Sequence, residues 1–181
     1  ANSLIHEMTF ITAPKNNLKN INQIFLNCDI EVERFFSRIF VLGAQLLTEE
    51  ELNFGFIIIN LEFDKITLGI FKNYALTHSV TLPFGTNSIT KDISKVCSLN
   101  IEESRNIKNN IDFLFKNNQN IFDKDNFLKK DYFFDSNYRK ISKNLIISIV
   151  KARLDEIFSM IKNQIKISNL NPKSKINLLL I

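Results

Sequence analysis

Hydrophobic positions along this chain alternate between a period of two and a period near three and a half. Ile57, Ile58 and Ile59 form a continuous apolar run, and Ile66, Leu68 and Ile70 then alternate with Thr67, Gly69 and Phe71. That pattern predicts two strands joined by a tight turn, Leu61-Glu62-Phe63-Asp64-Lys65. A third strand is predicted from Tyr74 to Leu82, ending at Pro83, so the three make an antiparallel meander. Upstream, residues 3 to 12 read as a strand. Thr12-Ala13-Pro14 opens a helix on which Leu18, Ile21, Ile24, Phe25 and Cys28 recur at helical spacing. Asp29 to Phe36 reads as another strand and Ile39 to Leu47 as a short helix, followed by the acidic stretch Thr48-Glu49-Glu50-Glu51. Downstream, Ser88 or Thr90 is the expected cap of a helix in which the helix dipole favours Asp92. A second helix is predicted from Ile101 to Leu114, and residues 117 to 138 are the least regular part. The longest helix runs from Ile141 to Ile167, with Ile146, Val150, Leu154, Ile157, Ile161 and Ile165 on one face. Asn169-Leu170-Asn171-Pro172 ends it, and Ile176 to Ile181 is the last strand.

At 181 residues the chain suits one domain or two small ones. Its 45% hydrophobic content fits a folded protein. No apolar run approaches the roughly 18 residues of a membrane span. Ala1-Asn2-Ser3 is not an initiator sequence and the chain ends inside an apolar strand, so it reads as a fragment of a longer protein. The net charge of +4 is scattered, with carboxylates among the lysines. A nucleic-acid surface needs clustered Arg and Lys with stacking aromatics, so nucleic acid is not an expected partner. Cys28 and Cys97 fall on apolar helix faces and are expected to be buried thiols. With His6 and His78 far apart, no metal-ligand spacing exists.

Four stretches in fixed order carry a resemblance. They are "NLKNINQIFLNCDIEVERF", "AQLLTEEELNFGFIIIN", "HSVTLPFGTNSITKDISKVCSLNIEESRNIK" and "LIISIVKARLDEIFSMIK". The second is similar to the motif A-x-x-x-L-T-x-x-E-x-x-x-G. The third is similar to P-x-G-G-x-x-x-T-x-D-I-A followed by A-E-x-x-K, and the fourth to I-I-x-x-R-x-x-E-I-F. These motifs, in this order, resemble the FtsA family of actin-like bacterial cell-division proteins. The resemblance implies an α/β, actin-like (ribonuclease-H-like) fold, a mixed sheet with an antiparallel meander and flanking helices, incomplete at both ends. Residues 1–52 would end domain 1, with the last strand of its inserted subdomain 1C. Residues 53–181 would be domain 2, with a 2A core at 53–112 and 170–181 and a 2B part at about 113–169. The function implied is a scaffold that links FtsZ filaments to the cytoplasmic membrane at the division septum and recruits the divisome. Its implied partners are the FtsZ C-terminal peptide, other copies of itself in actin-like filaments and other divisome proteins. The membrane would be reached through a C-terminal helix absent here. Its implied place is the cytoplasm, peripheral on the inner face of the membrane. The alternatives are an ATP-dependent enzyme or chaperone-like ATPase of the same superfamily, or the related pilus-assembly actin-like protein.

The family's second phosphate motif, D-I-G-G-G-T-T-D, is degenerate here. Asn60 stands for the first Asp, Glu62, Phe63 and Asp64 for the glycines, and Thr67 for the last Asp. Phosphate cradles use glycine because the backbone must approach the anion closely and point its N–H groups inward. Glu62 and Asp64 instead bring like charge. At roughly 4 Å each such contact costs about 1 kcal/mol in water and about 4 kcal/mol at an effective dielectric of 20. The resemblance leaves Gly85, Thr86 and Lys108 as nucleotide-side residues. ATP is therefore expected at most in the full-length parent, not in this fragment, and no enzymatic activity is expected. On the long helix the resemblance makes Arg153 a contact for the partner's carboxylate, with Glu156 and Lys151 beside it. The residues alone fit an intrahelical Arg153–Glu156 ion pair at i, i+3.

Overall fold

Residues 8–110, 127–168 and 177–181 are described by the computed structural model. In chain order the elements are α1 (Lys15–Leu26), α2 (Arg38–Leu46), α3 (Glu49–Phe54), β1 (Phe56–Leu61), β2 (Ile66–Lys72), β3 (Ala75–Leu82), α4 (Asn87–Cys97), α5 (Ile101–Asn109), a single 3-10 turn (Lys130–Tyr132), α6 (Lys143–Ile167) and β4 (Asn177–Leu180). Four strands form one sheet in the order β3-β2-β1-β4. The connections between β1 and β2 and between β2 and β3 are too short for anything but antiparallel neighbours. β4 pairs parallel with β1, from Phe56 opposite Asn177 to Ile59 opposite Leu180. The uninterrupted apolar run of β1 now has its reason. The strand is central, and Phe56 to Asn60 are all buried. The β2–β3 turn places Asn73 and Tyr74 at φ 51° and 61°, the positive-φ pair of a type I′ hairpin.

The chain divides into two compact units, residues 1–60 with 67–80 and 175–181, and residues 61–66 with 81–174. The dividing points fall at the strand ends of the meander. In the first unit Ile39, Leu47, Phe56, Ile58, Phe71 and Leu76 form the core. Gly43 lets α2 lie on the Phe71 ring, where a β-carbon would come within 2.1 Å of Phe71 Cζ. In the second unit α4, α5 and α6 surround Ile93, Ile107, Leu128, Ile146 and Val150. Ile157 and Ile161 continue the buried stripe of α6.

Several expectations are corrected. Residues 8–14 and 29–36 form no strand; residues 3–7 of the first expected strand lie outside the described residues. Asp29 turns left-handed at φ 58°, and Ile30 N–H donates to Phe25 O at 3.0 Å. This closes the end of α1, and no strand among the described residues pairs with residues 30–36. α1 forms as expected but buries none of its residues, and Cys28 is exposed. Cys97 is buried, and burial pushes its thiol pKa up. The acidic stretch after Leu47 is itself a helix start. Thr48 Oγ1 accepts from Glu51 N–H while Glu51 accepts from Thr48 N–H, a capping box that begins α3. α4 starts at Asn87 with no side-chain cap, one residue before Ser88 and three before Thr90. The predicted helix from Ile101 is seen to Asn109, and Leu114 lies outside the described residues.

Candidate functional site

The β1–β2 turn is held by its own backbone. Glu62 N–H donates to Lys65 O at 3.0 Å, and the Lys65 ammonium lies 3.5 Å from Glu62 Oε2. The turn is also bound to the start of α4. Thr86 N–H donates to Glu62 O at 3.0 Å and Asn87 N–H to Phe63 O at 2.9 Å. The Asn87 side-chain amide donates to Asp64 Oδ1 at 3.2 Å. A helix leaves its first N–H groups without intrahelical partners. Here the turn's carbonyls take two amides at the α4 start, and Gly85 O accepts both the N–H and the hydroxyl of Ser88.

Gly85 is the residue that permits this approach. A β-carbon there would lie 2.1 Å from Glu62 O and 2.6 Å from Phe63 O. Lys108, on α5, places its ammonium 5.8 Å from the centroid of the Phe63 ring, within cation–π range. Burial, and then the charge of Arg105, lowers the Lys108 pKa. Gly85, Thr86 and Lys108 are thus brought together around one turn, all within the second unit.

Sequence reasoning missed Glu103. This carboxylate is fully buried. Its Oε1 accepts from the backbone N–H of Asp135 at 3.0 Å and of Ser136 at 2.9 Å. The Ser136 hydroxyl also donates to it, and Glu103 N–H donates to Asn100 Oδ1 at 2.7 Å. Burial alone raises the pKa of a carboxyl, but the donors from Asp135, Ser136 and Asn100 outweigh it and hold Glu103 below its ordinary value. The Asn100-x-x-Glu103 spacing of a capping box was the available signal; its second partner, 32 residues on, left no trace in the sequence.

The second group joins α4 to α6. Arg153 makes a two-pronged contact with Asp92, Nε to Oδ2 at 2.5 Å and Nη2 to Oδ1 at 2.8 Å. Its Nη1 donates to Glu156 Oε2 at 2.6 Å. The i, i+3 pair expected from the sequence is therefore present, and Asp92 is an additional partner from another helix. Beside it runs an open groove of about 350 Å³, lined by Lys95 and Val96 of α4 and by Ile149, Ala152, Arg153 and Glu156 of α6. Lys151 is exposed on α6 but does not line the groove. Among the described residues no group of three or more metal-ligating side chains occurs, and no helix is long and apolar enough to cross a membrane.

No family model matches the chain. Curated sequences do. The cell-division protein FtsA of Neisseria meningitidis is 23% identical over 167 residues, which is 92% of this chain and 39% of that protein. FtsA of Buchnera aphidicola from Schizaphis graminum is 27% identical over 159 residues, covering 86% and 36%. FtsA of Bacillus subtilis is 23% identical over 160 residues, covering 88% and 36%. The chain is similar to FtsA. It spans less than two-fifths of the length of these FtsA proteins. Among solved structures, MreB5 of Spiroplasma citri bound to AMPPNP superposes with a TM-score of 0.64 at 13% identity, covering 93% of this chain and 54% of that one. The ethanolamine utilization protein EutJ of Carboxydothermus hydrogenoformans gives 0.59 at 10% identity, covering 91% and 48%. The fold of this FtsA-like chain is actin-like, a mixed sheet with flanking helices.

Proposed function

We propose that the protein to which this chain belongs is an actin-like scaffold of bacterial cell division. In this reading it links FtsZ filaments to the cytoplasmic membrane at the septum and recruits other divisome proteins. It works by binding and self-association rather than by catalysis. It sits in the cytoplasm against the inner face of the membrane and reaches it through a segment outside this chain. The observation that carries the reading is the similarity to FtsA along 86–92% of the chain in the relatives named above.

The α4–α6 groove is the docking surface in this reading. Val96, Ile149 and Ala152 offer an apolar floor, and Lys95 and Arg153 supply cations on its rim. A guanidinium carries five N–H donors. Asp92 and Glu156 take three of them, so Arg153 keeps donors for a carboxylate of an FtsZ C-terminal peptide. Lys151, two residues earlier and exposed, adds longer-range attraction. The test is titration of a fluorescent FtsZ C-terminal peptide into the folded protein, with Arg153→Glu alongside. Binding on the order of micromolar that Arg153→Glu abolishes supports the reading. Absence of binding by protein shown to be folded removes FtsZ as the partner.

An ATP-dependent enzyme of the same fold is the second reading, favoured by the nucleotides bound to the MreB5 structures. Against it stands the β1–β2 turn, where Glu62, Phe63 and Asp64 are the residues that the family resemblance aligns with the glycines of a phosphate loop.

A further inference from the structure

We propose that the β1–β2 turn is itself the occupant of the α4 N-terminus, so that this end of the second unit is closed without a nucleotide. An actin-like fold implies a nucleotide whose phosphates rest against this turn, and the residues present do not fit one. A phosphate is bound at such a place by inward-pointing backbone N–H groups. The N–H groups of Thr86 and Asn87 are committed to the carbonyls of Glu62 and Phe63 at 3.0 and 2.9 Å. The Asn87 side chain is committed to Asp64 at 3.2 Å. Gly85 admits the turn at a distance no β-carbon allows, so here glycine serves the approach of one backbone to another. The charges point the same way. Lys65 pairs with Glu62, and Lys108 lies over the Phe63 ring. Two carboxylates, Glu62 and Asp64, belong to the segment on which a phosphate would rest. The turn thus supplies, from within the chain, the oxygen acceptors that a bound anion would offer to the amides at the start of α4. The consequence is a scaffold domain whose shape does not respond to nucleotide. The closure involves α4 and the turn and not the α4–α6 groove, so it is independent of whether FtsZ is the partner.

The experiment is amide hydrogen exchange at Thr86 and Asn87 in the native full-length protein, with and without Mg-ATP, together with the melting midpoint under the same conditions. The expected result is protection of both amides in the ligand-free protein, unchanged by Mg-ATP, with no shift of the midpoint. Amides that exchange freely until Mg-ATP protects them overturn the proposal. A midpoint raised by a few °C, as a ligand at about a hundred times its dissociation constant produces in a larger protein, overturns it as well, even with the amides protected. That outcome means a nucleotide is held while the turn stays closed.

Discussion

Glu103 is a charge with no exposure to solvent, tolerated because several donors converge on it. Glu103→Ala strands the amides of Asp135 and Ser136, and hydrogen bonds to a charged group are worth about 1.5–3 kcal/mol. The expected loss is about 2–3 kcal/mol, read from urea denaturation. The same carboxylate gives a pH dependence. Its folded pKa lies below the unfolded value, so its stabilisation is complete above the unfolded pKa, about 4.3, and is lost as pH falls through the folded one. The stability difference between native protein and Glu103→Gln should therefore narrow as the solution is acidified from neutral. A difference that stays constant into the acid range would refute the assignment. Tyr74 shows the opposite situation, a bulky residue at φ 61° with 61% of its surface exposed. A left-handed conformation costs an L-residue roughly 1–2 kcal/mol, from which glycine is exempt. Tyr74→Gly should raise stability by about 1 kcal/mol, measured as a higher denaturation midpoint at unchanged slope.

Elements are joined here by contacts that belong to no single element. Gly85→Ala drives a β-carbon against backbone oxygens of the turn, and backbone cannot rotate away as a side chain would. Overpacking of this kind costs about 1–3 kcal/mol. Faster amide exchange at Thr86 and Asn87 should accompany the loss, because the turn and the start of α4 separate together. α4 and α6 are tied by Asp92 and Arg153, whose side chains are 26% and 27% exposed. The Asp92 hydrogen bond, followed by the opposing effect of burial, leaves the Arg153 pKa raised. Partial exposure keeps such a pair modest, and geometry this favourable puts it near the top of the range for surface pairs, about 1 kcal/mol. A double-mutant cycle with Asp92→Ala and Arg153→Ala should return that coupling. A value within error of zero would leave packing around Val150 and Ile93 as what holds the two helices.

Across the whole molecule, the two units differ in how well their apolar pattern is used. α6 buries the stripe that its sequence announces, at Ile146, Val150, Ile157 and Ile161. α1 carries an equally regular stripe and buries none of it, with Ile24 at 64% and Phe25 at 43% exposed. Ile24→Lys should accordingly change stability by no more than about 0.5 kcal/mol and lower light scattering at high concentration. A loss well above that would show the face to be buried in solution. The sequence by itself determined the meander, the existence of α1, α2, α4, α5 and α6, and the motif order shared with FtsA. These rest on periodicity, which reports how each element divides apolar from polar positions along its own length. Tertiary structure alone decided that α1 stays unburied and that residues 29–36 are not a strand, since burial and pairing need a partner that a pattern cannot name. It also decided that Arg153 is shared between Glu156 and Asp92, that Glu103 gathers Asp135 and Ser136, and that the β1–β2 turn closes on α4. Apart from the Arg153–Glu156 pair within α6, these contacts join residues between 23 and 61 positions apart, at distances set by how packed elements meet and not by any local preference of the chain.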